Sequence, residues 1–202
     1  DLDKSILKSD LVIAFDIGDY KRLKGLGQIV KNKIPVICFD HHPLLHEELY
    51  SKVIVDIKSP ATGYMVWKYL NNNSVNGPLP LKIAIPLYVS LITDTGSFKY
   101  ECTSADTHRM AAHLIESGVD SYSLQRQIFE QNKFSHIKLT SSVINNLKFR
   151  NNDRIVWGFI NKNILDNCKA NEEDIDGIND YIRSIKGVEA AFLLYQNENK
   201  IK

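Results

Sequence analysis

Long apolar runs are scarce in this sequence. The longest, Leu81 to Thr93, is interrupted by Lys82 and Pro86 and falls short of the roughly 20 residues that a bilayer-spanning helix needs. The opening residues also lack the basic, apolar, small-residue order of a secretory signal. Cysteine is rare: Cys38, Cys102 and Cys168 are odd in number, widely spaced and never in a CxxC pair. That pattern argues against a disulfide framework and against a structural zinc knuckle. These absences make the cytoplasm the expected home and leave a membrane role without support. An excess of one charge is missing too, since 25 Lys and Arg face 24 Asp and Glu. No overall field attracts a polyanion, so any binding of phosphate or nucleic acid must be local. No serine sits in a Gly-x-Ser-x-Gly setting, which leaves a serine hydrolase unsupported.

What is present is an ordinary globular composition, 44% hydrophobic and 24% charged over 202 residues, enough for one or two domains. Leu11 to Phe15 is a short apolar run that stops at Asp16, and Val36 to Phe39 is a second that stops at Asp40. Between them, Tyr20 to Lys33 carries Leu23, Leu26, Ile29 and Val30 at helical spacing. A strand, helix, strand unit with a parallel sheet follows, and both aspartates then fall at the carboxyl ends of strands, where ligands of such sheets sit. Val53 to Asp56 is a candidate strand and Thr62 to Leu70 a helix. Leu81 to Thr93 is too uniformly apolar for a surface helix and is read as a buried one, stopped by Asp94-Thr95-Gly96. Thr103 or Ser104 caps a helix that ends at Gly118, and Tyr122 to Gln131 forms another. Phe134 to Leu147 is amphipathic and leads to a change of style at Asn151-Asn152-Asp153. A strand (Arg154 to Ile160), a helix (Glu172 to Ile185) and a strand (Val188 to Tyr195) are expected beyond it. The fold class is therefore α/β, a parallel sheet flanked by helices, then a linker helix and a second α/β domain beginning near residue 150.

The chemistry concentrates in Asp40-His41-His42. A carboxylate and two imidazoles on a tight turn are each costly to bury alone, and a divalent cation would satisfy all three. The plainer alternative is a solvated turn whose histidines cap backbone groups. Asp16 and Asp94 shift the balance toward a metal or phosphate site, because three carboxylates ending three apolar segments can converge on one crevice. Thr95-Gly96-Ser97 reads first as a helix stop, and secondarily as backbone able to come close to a ligand. Lys21 and Arg22 could approach a phosphate at the mouth, although exposed surface charge is the simpler reading for both. His46, His113 and His136 are assigned to helix or loop surface with no functional role.

Several spaced motifs then resemble one family. Phe39-Asp40-His41-His42-Pro43 resembles the signature triplet of the DHH phosphoesterases, and Ala14-Phe15-Asp16-Ile17-Gly18-Asp19 with Arg22-Leu23 resembles the preceding motif. Ala61-Thr62-Gly63, Leu91 to Phe98, and Thr103, Thr107, Ala111, Leu114 and Gly118 continue the match. Asp174 to Ala190 looks like the early part of the DHHA1 domain that follows in this family. Asp-His-His-Pro, Asp-Thr-Gly-Ser-Phe and the short linker look most like the nano-RNase and pAp phosphatase group.

The resemblance implies a DHH domain over residues 1–132, a linker helix over 133–150 and the start of a DHHA1 substrate-binding domain over 151–202. It implies two divalent cations, usually Mn²⁺ with Mg²⁺ as the alternative. Asp16 would bridge them, with His41 and Asp94 as further metal ligands. His42 would face the scissile phosphate, Asp40 would support the histidine pair, and Arg22 would bind substrate. The implied activity is hydrolysis of short single-stranded oligonucleotides or of 3′,5′-bisphosphate nucleotides, and a homodimer is compatible with it. The family's opening His and paired Asp motif and its later Gly-Gly-His segment have no counterpart in these residues. Both ends are therefore expected to be truncations, and the chain alone is expected to be nearly inactive. The rival readings are a pyrophosphatase, polyphosphatase or cyclic-dinucleotide phosphodiesterase of the same superfamily, and a non-catalytic nucleotide-binding relative.

Overall fold

A computed structural model describes residues 6–72, 77–197 and 200–201. The chain divides into two compact units, one ending at Leu124 and the other starting at Gln125. Among the described residues, no helix is long and apolar enough to cross a membrane.

The first unit is built on three parallel strands in the order β1-β2-β3, namely β1 (Val12–Phe15), β2 (Val36–Asp40) and β3 (Lys52–Val55). Parallel pairing sets Phe15 beside Phe39 and Asp40 beside Val55, so the two strand ends expected to carry aspartates lie next to each other. The Asp16 amide extends the ladder by one bond, to Phe39 O at 2.9 Å. Side chains alternate across a strand, so Val36, Cys38 and Asp40 all face inward on β2. They cover a core with Ala14, Tyr20, Leu23, Val30, Ile34 and Tyr50.

The segment between β1 and β2 differs from the single helix expected over Tyr20 to Lys33. It is a 3₁₀ turn (Tyr20–Leu23) followed by α1 (Lys24–Val30). Asp19 accepts from the Lys21 amide at the start of that turn, and Lys24, at φ +50°, takes the left-handed backbone that ends it.

Three helices complete the site-bearing part: α2 (Thr62–Asn72), α3 (Leu81–Asp94) and α4 (Ala105–Glu116). The apolar run at 81–93 is indeed helical. It buries Ala84, Leu87, Tyr88, Leu91 and Ile92, the i, i+3, i+4, i+7, i+8 stripe of a core helix. On α4, Ser104 and Thr107 form a reciprocal cap and Gly118, at φ +97°, follows its end. The helices α2 and α3 meet where Gly63 lies against Ser90, with the Gly63 amide donating to Ser90 Oγ at 3.2 Å. This contact is one helical turn before Asp94, so it sets how near that carboxylate comes to the start of α2. α5 (Ser121–Phe129) carries the chain past the division between the units.

The second unit has the strand order β4-β5-β6-β7: β4 (Lys148–Arg150), β5 (Ile155–Ile160), β6 (Ala190–Asn197) and β7 (Lys200–Ile201). β5 and β6 run parallel, the other pairs antiparallel. Asn197-Glu198-Asn199-Lys200, turn-like in sequence after an apolar strand, lies partly outside the described residues. Asn151-Asn152-Asp153, read from sequence as a change of style, is the turn of the β4–β5 hairpin. All three residues are left-handed, a conformation that short Asn and Asp side chains tolerate. The expected linker segment holds α6 (Phe134–Asn145), whose Leu139 and Val143 join a core with Val156, Ile160, Leu165, Cys168, Ile178 and Ile182.

The helix expected over Glu172 to Ile185 is in fact two pieces, a 3₁₀ turn (Glu172–Ile175) and α8 (Ile178–Arg183), because Gly177 at φ +82° breaks it. The short α7 (Lys162–Cys168), capped by Asn161, and strand β4 were not anticipated. His136 corrects another expectation: it is buried, and its Nδ1 donates to Asp174 O at 2.8 Å.

Candidate metal centre

Asp16 leaves the end of β1 with φ +61°, the left-handed region that few non-glycine residues occupy and that Asp tolerates better than most. Strained backbone of this kind collects at functional sites. Asp40, His41 and His42 leave the neighbouring end of β2, and Asp94 ends α3. The fold brings all five residues to one place.

Their contacts are specific. His41 Nε2 lies 3.6 Å from Asp16 Oδ1 and 3.9 Å from Asp94 Oδ2. His42 Nδ1 lies 3.5 Å from Asp16 Oδ1. The two imidazoles meet edge to face with ring centres 4.1 Å apart. Asp16, His41 and His42 thus form a cluster that could hold a metal ion.

Hydrogen bonds fix how each group is presented. Asp40 is fully buried, and its Oδ1 accepts from both the amide and the ring Nδ1 of His42, each at 2.8 Å. That leaves His42 Nε2 as the ring's free corner on a side chain that is 55% exposed. Asp40 was expected to support both histidines, but the His41 ring is held by a different group. Its Nδ1 donates to Ser59 O at 3.1 Å. Thr62, at the first position of α2, donates from Oγ1 to Asp16 Oδ1 at 2.9 Å. Behind the turn, Tyr50 and Cys38 both donate to the carbonyl of Ile17, at 2.6 and 3.5 Å.

The electrostatics match a cation-binding crevice. Burial raises the Asp94 carboxyl above the ordinary carboxylate value, and Asp16 adds to this while His41 opposes it. Burial, with the charge of Asp40, pushes the Cys38 thiol up to about 11, so it is no nucleophile at neutral pH. The residues fit a metal on one further observation. His41 Nε2, between Asp16 and Asp94, is buried without a hydrogen-bond partner, an arrangement that costs about 1–3 kcal/mol when nothing binds there. Ligand atoms held about 2.0–2.2 Å from a cation stand about 3–3.5 Å from one another, so the 3.6 and 3.9 Å spacings around His41 Nε2 need to close by a few tenths of an ångström around a bound ion.

Arg22 is exposed on the 3₁₀ turn after Asp19, with its backbone amide bonded to Asp19 O at 2.9 Å. Ser59 and Thr62 are the members that sequence reasoning missed as contributors to the centre. A Ser just before Pro60 and a Thr at the first position of α2 were the available signal.

No family model matches the chain. Over 204 aligned residues it is 24% identical to the bifunctional oligoribonuclease and PAP phosphatase NrnA of Bacillus subtilis, covering 100% of this chain and 63% of that protein. The chain is similar to NrnA. A second protein of that name, from Thermus thermophilus, is 26% identical over 167 residues, 83% of this chain and 49% of its own length. The resemblance to the DHH phosphoesterases, and within them to the nano-RNase and pAp phosphatase group, is borne out by these NrnA relatives. The fold is that of an exopolyphosphatase-related protein from Bacteroides fragilis, whose crystal structure matches with a TM-score of 0.91 at 22% identity, over 99% of this chain and 59% of that one. The chain thus spans roughly half to two thirds of the proteins it matches.

Proposed function

We propose that the Asp16–His41–Asp94 crevice is the active site of a metal-dependent phosphoesterase acting on short oligonucleotides or 3′,5′-bisphosphate nucleotides. The observation that carries the reading is His41 Nε2: buried, unpartnered and lying between two carboxylates, it has the form of a ligand prepared for a cation. NrnA relatives named as oligoribonucleases and PAP phosphatases support the substrate class.

Two divalent cations, taken to be Mn²⁺, are part of the proposal, and Asp16, His41 and Asp94 would hold them. When bound, such ions supply an activated water and neutralise charge on a phosphoryl group. The chain's own residues do the rest. Thr62 steadies the Asp16 carboxylate, and Ser59 O keeps the His41 lone pair on Nε2. Asp40 takes the Nδ1 proton of His42 in a hydrogen bond, so that Nε2 faces outward, where it can hold or pass a proton to a phosphate oxygen. Arg22 is assigned to the substrate's phosphate from its exposed turn.

The experiment is hydrolysis by the complete protein, with added Mn²⁺, of a ribodinucleotide, of a 3′,5′-bisphosphate nucleotide and of pyrophosphate, with Asp16→Ala as control. Release from either nucleotide substrate, lost in Asp16→Ala, supports the proposal. Cleavage of pyrophosphate alone contradicts it.

A further inference from the structure

The segment joining β3 to α2, Asp56 through Thr62, touches the side chains of both His41 and Asp16, and its first four residues are closed on themselves. At its end, Thr62, 4% exposed, donates to Asp16 Oδ1. In its middle, the carbonyl of buried Ser59 accepts from His41 Nδ1. At its start, Asp56 accepts at Oδ1 from the Lys58 amide (3.1 Å) and at Oδ2 from the Ser59 hydroxyl (2.8 Å), while Asp56 O accepts from the Ser59 amide (2.9 Å). The Asp56 carboxylate therefore fixes the turn that presents the Ser59 carbonyl.

Each contact has a chemical consequence. An imidazole carries one proton on either nitrogen when neutral, and a carbonyl on Nδ1 selects the tautomer whose lone pair is on Nε2. That is the nitrogen left unpartnered between Asp16 and Asp94. A hydroxyl on one oxygen of Asp16 likewise restricts rotation of that carboxylate. His41 and Asp16 lie on the ends of two different strands, and this one segment constrains both.

We propose that Asp56 and Thr62 are positioning residues that hold His41 and Asp16 together as a preformed pair of cation ligands. The proposal rests on the cation-binding reading of that pair. Neither residue is a ligand; each acts through another, Asp56 through Ser59 and Thr62 directly on the Asp16 carboxylate.

The test uses the full chain and Mn²⁺ as probe, with affinity read from the electron paramagnetic resonance signal of the free ion and folding from thermal midpoints. Thr62→Val is expected to weaken Mn²⁺ binding by about 10-fold or more, the usual effect of losing a group that orients a ligand. Thr62→Ser, which restores the hydroxyl, is expected to recover most of it. In metal-free Asp56→Ala, the imidazole ¹⁵N signals of His41 are expected to move from the Nδ1–H tautomer toward a mixture. Unchanged affinity in Thr62→Val, equal loss in Thr62→Val and Thr62→Ser, or an unchanged His41 tautomer in Asp56→Ala would overturn the proposal alone. Failure of the unsubstituted chain to bind Mn²⁺ would overturn the cation reading along with it.

Discussion

Gly63 packs so closely on Ser90 that a methyl group added at the glycine would lie 2.7 Å from the serine hydroxyl oxygen and 2.8 Å from its Cβ. The short serine side chain cannot swing clear, so Gly63→Ala must push α3 away from α2. Overpacking of this kind costs about 1–3 kcal/mol. Because Asp94 lies one turn beyond Ser90, the displacement also loosens the metal centre. Urea unfolding and Mn²⁺ titration of Gly63→Ala are expected to show both losses; a variant with native stability and native Mn²⁺ affinity would show that the helix crossing does not set the position of Asp94.

The roles proposed for Asp16 and His42 separate on different readouts. Asp16 is the carboxylate that lies beside both imidazoles, 3.6 Å from His41 Nε2 and 3.5 Å from His42 Nδ1, so in the complete protein Asp16→Ala is expected to abolish activity and to reduce metal binding sharply. His42 already gives its Nδ1 to Asp40. His42→Ala is therefore expected to lower turnover more than metal occupancy, measured by metal analysis beside steady-state kinetics. Equal metal loss in the two variants would make His42 a ligand.

The parts of this site that could be read in the sequence are those written in side-chain identity and period. Two apolar runs ending on Asp16 and Asp40 give two adjacent strand ends, and the apolar run before Asp94 gives a buried helix. The caps at Ser104 and Gly118 are equally local. The clasp on His41 is not legible, because its acceptor is a backbone carbonyl, which every residue has. His136 looked like surface for the same reason, since burial is compensated by the carbonyl of Asp174, which is remote in sequence. The break at Gly177 was hidden because the apolar spacing continues from Ile175 to Ile178 and Ile182 across it.

Stability in acid has a local source in the second unit. Asp174 reaches back to the Asn171 amide at 3.0 Å, which, with lesser help from Ser135, Lys133 and His136, holds its carboxyl below the ordinary value although burial acts the other way. A carboxyl depressed in the folded state stabilises above the unfolded value of about 3.9, and that stabilisation disappears as pH falls through the folded value. Asp174→Asn is therefore expected to be less stable than the native chain at pH 7, with the gap closing below about pH 4. Urea unfolding at several pH values checks this, and a gap independent of pH would refute it.

The most direct measurement of the central claim is an anomalous difference map from crystals soaked in Mn²⁺. The account predicts a peak bounded by Asp16, His41 Nε2 and Asp94, absent from crystals of Asp16→Ala. A Mn²⁺ peak only elsewhere on the molecule, or none while those three side chains are ordered, would contradict it.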